Sequence, residues 1–229
     1  MPTLAVDIGG SSIKLLALSP EGAPASETLA RPTPRPATPD AVFALIHDMA
    51  DTLPPHRQVS VGFPGVVKDG VALNAPNLGD ELWQGVALNE RLTHLLQRPV
   101  RAVNDADLQG IGVVRGEGVE MVLTLGTGMG TALFTDGVLV PNLELGHHPF
   151  RDGQSYEDLV RDSELKRIGP IEWTTRVLDA IGQIEPIFNY DTLHLGGGNA
   201  QNLSSALPDK VRLFTLADAM CGALKLWGV

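Results

Sequence analysis

The apolar positions of this chain fall into short runs that stop at glycine, proline or an acidic turn. Thr3 to Asp7 is nearly continuous and ends at Gly9-Gly10; Ile13 to Leu18 follows and ends at Pro20-Glu21-Gly22. Runs bounded by turn residues predict strands, here two strands around a glycine turn. Arg31 to Pro39, RPTPRPATP, is proline-rich and predicts an extended internal loop. Within Ala41 to Leu53, Val42, Leu45, Ile46 and Met49 recur at helical spacing, with Asp40 as the expected cap. A strand from Val59 to Phe63 breaks at Pro64-Gly65, and Leu88 to Leu96 predicts a helix. Val100 to Val103 predicts a strand that ends in Asn104-Asp105 and runs on into a helix from Ala106 to Val114.

The second half repeats the opening. Val122 to Leu125 predicts a strand, GTGMG a glycine turn, and Ala132 to Phe134 a strand that stops at Asp136-Gly137. VDIGGSSIKLLAL and TLGTGMGTALF thus read as two copies of one strand–turn–strand unit. Helical stretches follow near Tyr156 to Lys166 and Ile171 to Phe188. A strand from Leu193 to Leu195 enters Gly196-Gly197-Gly198, and a last helix covers roughly Leu216 to Trp227. Strands alternating with helices predict an α/β architecture. The duplicated hairpins predict two similar lobes facing a ligand-binding cleft. Residues 1–112 form the expected N-terminal lobe and 113–229 the C-terminal lobe, with the last helix a candidate to return to the first.

Composition narrows the function classes. The 229 residues are 43% hydrophobic and 19% charged, an ordinary globular mixture, and the net charge of −10 with no basic run argues against nucleic acid as partner. A single cysteine, Cys221, excludes an internal disulfide and a cysteine-based zinc cluster within the chain, so no structural zinc is expected. MPTLAVDIGG has no basic segment before an apolar one, and no stretch has the length of a membrane span. A cytoplasmic protein with no membrane partner is the expectation.

An acidic protein that binds phosphate must do so locally, through backbone N–H groups. Three glycine clusters after strands offer this: Gly9-Gly10, Gly126 to Gly130, and Gly196 to Gly198. Glycine permits positive φ and close approach, and Ser11, Ser12 or Thr127 can add a hydroxyl. Tight hairpin turns are the plain alternative. No GKS or GKT follows any cluster, so none is a Walker A loop. Asp105, at a strand end, can take a proton from an attacking hydroxyl, and Asn104 can both donate to and accept from vicinal hydroxyls. Helix capping is the competing role for this pair. Glu144, His147 and His148 lie in ELGHHP, where Gly146 and Pro149 disfavour a helical metal site, leaving sugar hydroxyl contacts or a surface loop. Asp7 can hold magnesium through water, or make an Asx-type turn contact.

Together these segments resemble the ROK family of sugar kinases, and within it the polyphosphate glucokinase-like branch. They are VDIGGSSIK, VGFPGVVKDG, NDADLQG, LTLGTGMGTALFTDG, PNLELGH and LHLGGG, in the family's order across nearly the whole chain. The resemblance implies the actin-like (ribonuclease-H-like) duplicated two-lobe fold with a central cleft. It implies transfer of a phosphoryl group from polyphosphate or ATP, with Mg²⁺, to a hexose hydroxyl, glucose O6 first. Another hexose, an N-acetylated amino sugar, or a sensor without turnover are the alternatives. Asp105 would be the general base, with Asn104, Glu144, His147 and, more loosely, Glu157 holding the other hydroxyls. Gly65 and Asn77 would line the sugar end. Gly9, Gly10, Ser11, Ser12 and Lys14 would bind the donor on one side, and Gly126, Thr127, Gly128, Gly130 and Gly197 on the other. Asp7 would hold Mg²⁺ through water, and the protein would be a homodimer. The chain departs from the branch at Ser12, where glycine is frequent. A polyphosphate chain would favour a basic path, for which Lys14, Lys68, Arg151 and Arg161 are the candidates.

Overall fold

The computed structural model describes residues 1–228. They form two compact units: Met1–Gly112 together with the stretch from Met220, and Val113–Ala219.

In the first unit β1 (Thr3–Ile8), β2 (Ser12–Leu18) and β3 (Leu29–Pro32) form an antiparallel meander. Helix α1 (Pro39–Ala50) leads to β4 (Gln58–Phe63), and a small hairpin, β5 (Val67–Lys68) and β6 (Val71–Ala72), follows. Helices α2 (Asp80–Trp83) and α3 (Leu88–Leu96) precede β7 (Val100–Asn104) and α4 (Asp105–Val113). The five-stranded sheet has the order β3-β2-β1-β4-β7, with β4 and β7 parallel to β1.

The second unit repeats this plan. Strands β8 (Val119–Leu125), β9 (Met129–Thr135) and β10 (Val138–Val140) form its meander. The hairpin β11 (Pro149–Arg151) and β12 (Gln154–Ser155) then leads into α5 (Tyr156–Val160), α6 (Asp162–Ile168) and α7 (Pro170–Phe188). Strands β13 (Thr192–Gly196) and β14 (Val211–Leu213) run parallel to β8, completing the order β10-β9-β8-β13-β14. Two sheets with one strand order and one pattern of directions make the duplication topological, not only a matter of similar turns. Helices α8 (Leu216–Met220) and α9 (Gly222–Lys225) follow β14.

Strand β1 is buried on both faces, which is why its run is continuous rather than alternating. Leu4, Val6 and Ile8 join α1 in the main core of the first unit, while Ala5 packs with Leu16 and Leu18 against Ala223 and Leu224 of α9. The C-terminal stretch is further held by Ser60, which donates to the Ala223 carbonyl at 2.6 Å and accepts from the Trp227 indole at 2.8 Å. Trp83 anchors the same unit, buried beside Phe43 and Phe63 with its indole N–H on the Ala37 carbonyl. In the second unit Trp173 plays the matching part, donating to Val160 at 2.7 Å.

Several local expectations change. Thr38, not Asp40, caps α1, accepting from the Ala41 N–H, because Pro39 occupies the first helical position and places the cap two residues earlier than expected. The proline-rich stretch begins as an edge strand, since β3 borders β2 alone and tolerates Pro32 there. The helix expected from Tyr156 breaks at Arg161, whose ψ of 161° is extended. The last helix is two short ones on either side of Cys221. ELGHHP contains a single 3-10 turn, Leu145–His147.

Candidate active site

In the first unit the candidate residues cluster at the ends of β1, β4 and β7 and in the turns beyond them. Asp7 faces Lys14 across the β1–β2 pair, and the ammonium donates to its carboxylate at 3.2 Å. The turn closes through the Gly9 N–H on the Ser12 carbonyl at 3.0 Å. Positive φ is not what this turn requires: neither Gly9 nor Gly10 lies in the left-handed region. Close approach is. A Cβ on Gly9 would stand 2.8 Å from the Ser12 carbonyl oxygen, and one on Gly10 would stand 3.0 Å from the Asn77 Cβ. Asn77, itself exposed and expected at the sugar end, packs against this turn. Ser11 is exposed and Ser12 half-buried.

Asn104 and Asp105 divide their roles. Asn104, 7% exposed at the end of β7, caps α4: its Oδ1 accepts from the N–H groups of Ala106 at 2.9 Å and Asp107 at 3.1 Å. Its amide donates to the Gly65 carbonyl at 3.2 Å, tying the Pro64-Gly65 turn to the strand end. Gly65 in turn lies under Asn74, whose carbonyl would be 2.3 Å from an added Cβ. Asp105 is the first residue of α4, half-buried, with Oδ1 accepting from the Ala106 N–H at 2.8 Å. Gly62 on β4 lets its backbone approach, since a Cβ there would be 3.3 Å from the Asp105 Cα.

In the second unit a different set converges. Glu157, on α5, accepts from the Met129 N–H at 3.0 Å, and its Oε2 lies where a Cβ on Gly128 would be, 2.0 Å away. Glu144 is paired with His147 at 3.5 Å. Burial pushes the Glu144 carboxyl up; His147 opposes this and the Glu157 charge adds to it, leaving it above the usual carboxylate range. Thr131 holds the ELGH turn by donating to the Leu143 carbonyl and accepting from the Leu145 N–H. The turn sits directly on β9, where a Cβ on Gly146 would meet the Met129 carbonyl at 2.3 Å. Glu144, His147, Glu157 and the Gly126–Gly130 loop therefore form one neighbourhood, with Thr127 exposed and Gly130 on β9 opposite Thr124. His148 is exposed, with its ring centroid 6.5 Å from that of Tyr156.

The third glycine cluster closes on the same loop. Gly197 has φ +88° and lies against Leu125, whose carbonyl a Cβ would meet at 2.3 Å. The following Asn199, missed by the sequence reading although it directly follows GGG, donates to the Gly126 carbonyl at 3.2 Å, and the Asp162 N–H joins it at 3.0 Å. Thr33 and Arg35 were missed too, hidden in a segment read only as a loop; both reach the first glycine turn.

The basic path is not a row of free cations. Lys14 is paired with Asp7, Arg151 with Asp179 at 2.8 Å and Arg161 with Asp158 at 3.5 Å; Lys68 is exposed. Among the described residues no group of three or more His, Cys, Asp or Glu side chains is placed to hold a metal ion. None of their helices is long and apolar enough to cross a membrane.

Residues 3–154 match the ROK family. The chain is 31% identical over 213 residues to the polyphosphate glucokinase of Mycobacterium leprae, a match covering 89% of this chain and 65% of that protein. The polyphosphate glucokinase of Mycobacterium tuberculosis H37Rv is 30% identical, with 89% and 80% covered. The chain thus spans just under two thirds of the first relative and four fifths of the second. Among solved structures, the inorganic polyphosphate/ATP-glucomannokinase of Arthrobacter sp. strain KM superposes with a TM-score of 0.88 at 30% identity, covering 99% of this chain and 98% of that one. A ROK family glucokinase from Streptomyces griseus, solved with glucose and AMPPNP, has a TM-score of 0.76 over 99% of both chains; at 17% identity it speaks for the fold alone.

Proposed function

The chain belongs to the ROK family and has its actin-like, duplicated two-lobe fold, and from that premise we propose that it is a sugar kinase with Asp105 as general base. Its acceptor is a hexose, glucose O6 first and mannose next, and its donor is polyphosphate or ATP, as the names of the relatives suggest.

The observation that carries the reading is the position of Asp105. It stands where β7 gives way to α4, its backbone brought close to β4 by Gly62, with one carboxylate oxygen on the Ala106 N–H. A carboxylate held this way can remove the proton as a sugar oxygen attacks phosphorus. Asn104 contributes chiefly by fixing that helix start and the Gly65 turn. Glu144, His147 and Glu157 supply acceptors and a donor for the remaining hydroxyls. Each of the two glycine turns offers backbone amides suited to a phosphate oxygen. Asp7 would hold a hydrated Mg²⁺ through water as a single carboxylate, and the ion would supply charge neutralisation to the transferring group. The protein is cytoplasmic and homodimeric by the same family analogy, the latter checked by light scattering.

The test is sugar phosphate formation from glucose or mannose with Mg²⁺ and either ATP or polyphosphate, for the native chain and Asp105→Asn. The variant should keep sugar affinity and lose about 100- to 10,000-fold in kcat, the range for one general base. Near-normal turnover by Asp105→Asn would show that another group is the base.

A further inference from the structure

The proline-rich segment has a place in the site that its composition does not announce. Thr33, 5% exposed, donates from its hydroxyl to the Gly9 carbonyl at 2.6 Å, and its N–H donates to the Ser11 carbonyl at 3.1 Å. Between them the Arg35 guanidinium donates to the Gly10 carbonyl at 2.6 Å. Three successive carbonyls of the first glycine turn are therefore drawn toward one segment. In a planar trans peptide the N–H points opposite to the C=O. Fixing the carbonyls of Gly9 and Gly10 therefore aims the N–H groups of Gly10 and Ser11 away from the segment. Neither N–H has an acceptor among the described residues.

We propose that residues 31–39 clamp the first phosphate loop, with Thr33 and Arg35 as positioning residues for the phosphate donor. Pro32, Pro34 and Pro36 alternate with the two residues that make the contacts. Each proline fixes φ and lacks an N–H, so the strap is stiff and the hydrogen bonds fall to Thr33 and Arg35. Arg35 is exposed and brings a fixed positive charge to the turn of an acidic protein. Its attraction for a polyanion is accordingly screened by salt. The clamp deepens the kinase reading and rests on it for the identity of the ligand as a donor phosphate.

The experiment is a titration of ¹⁵N-labelled protein with magnesium tripolyphosphate, following the Gly10 and Ser11 amides, for the native chain, Arg35→Ala, Arg35→Lys, Thr33→Val and Thr33→Ser. In the native protein both amides should shift on titration. Arg35→Ala should weaken tripolyphosphate about tenfold, the loss expected for one charge-assisted hydrogen bond, and should flatten the salt dependence. Arg35→Lys should restore part of the affinity, and Thr33→Ser more than Thr33→Val. In turnover assays Arg35→Ala should raise the donor KM by a similar factor and leave the glucose KM within about twofold. Silent Gly10 and Ser11 amides, or equal tripolyphosphate affinity in the native chain and Arg35→Ala, would overturn the clamp whether or not sugar is phosphorylated. Responsive amides with no sugar phosphate from any donor would uphold the clamp and remove the kinase reading instead.

Discussion

Gly128→Ala tests how the Glu157 carboxylate and the second glycine loop depend on each other. Gly128 does not lie in the left-handed region, so alanine meets no backbone penalty; the effect is steric. The new methyl would stand 2.0 Å from Oε2 and 2.7 Å from Cδ of Glu157. The carboxylate is the far end of a flexible side chain and must retreat by about 1.4 Å to reach ordinary contact at 3.4 Å. That retreat breaks the 3.0 Å bond from the Met129 N–H, which positions the loop. A hydrogen bond to a charged group contributes about 1.5–3 kcal/mol, so kcat/KM for glucose should fall about 10- to 150-fold. Steady-state kinetics with each substrate varied in turn is the assay. The loss should run through Glu157, so adding Gly128→Ala to Glu157→Ala should cost less than about twofold more. A Gly128→Ala enzyme within about threefold of native, or two substitutions whose effects simply add, would refute the coupling.

Asn104→Ala removes the cap of α4 and the bond to Gly65, and should lower stability by about 1–2 kcal/mol in urea unfolding, with Asn104→Ser recovering part of it. Glu120, 2% exposed in its side chain, bonds His194 at 2.7 Å and accepts from the N–H groups of Arg115, Gly116 and Glu117. Glu120→Ala strands the buried histidine and should cost about 3–5 kcal/mol in the same assay. Burial pushes the Glu120 carboxyl up, but the bonds from Arg115, His194, Gly116 and Glu117 outweigh it and hold it below the usual carboxylate range. Its contribution is therefore present above the unfolded carboxylate pKa and lost as pH falls through the lower folded value, a loss that melting curves of Glu120→Ala should lack. Glu144 has the opposite sign: burial raises it, so the folded protein loses stability as pH rises from the usual carboxylate range through the folded value. Glu144→Gln should abolish that slope in thermal melts and be more stable than native at neutral pH.

Most of the strand–turn plan was legible because it is written in near neighbours. The runs at β1, β2, β4 and β7 and their glycine and proline stops lie within a few residues of one another. The cap of α1 was expected at Asp40, and Pro39 at the first helical position places it at Thr38 instead. Strand β8 was read short because Glu120 interrupts its apolar run. Its carboxylate is tolerated there through the N–H groups of Arg115, Gly116 and Glu117 and through His194, 74 residues away.

The sequence alone determined two glycine-turn hairpins, an acid at the end of a buried strand, and a set of polar residues in an order shared with the ROK family. The hairpins and the strand end follow from periodicity and turn chemistry, which act over one or two turns of chain; the order is a resemblance. Only the tertiary structure decided that Glu157 supports the loop at Met129, and that Thr33 and Arg35 take the carbonyls of the first glycine turn. Each of these depends on strand order bringing together groups whose separation in sequence carries no local signal. Hydrogen bonds form between whichever donors and acceptors packing leaves within about 3 Å.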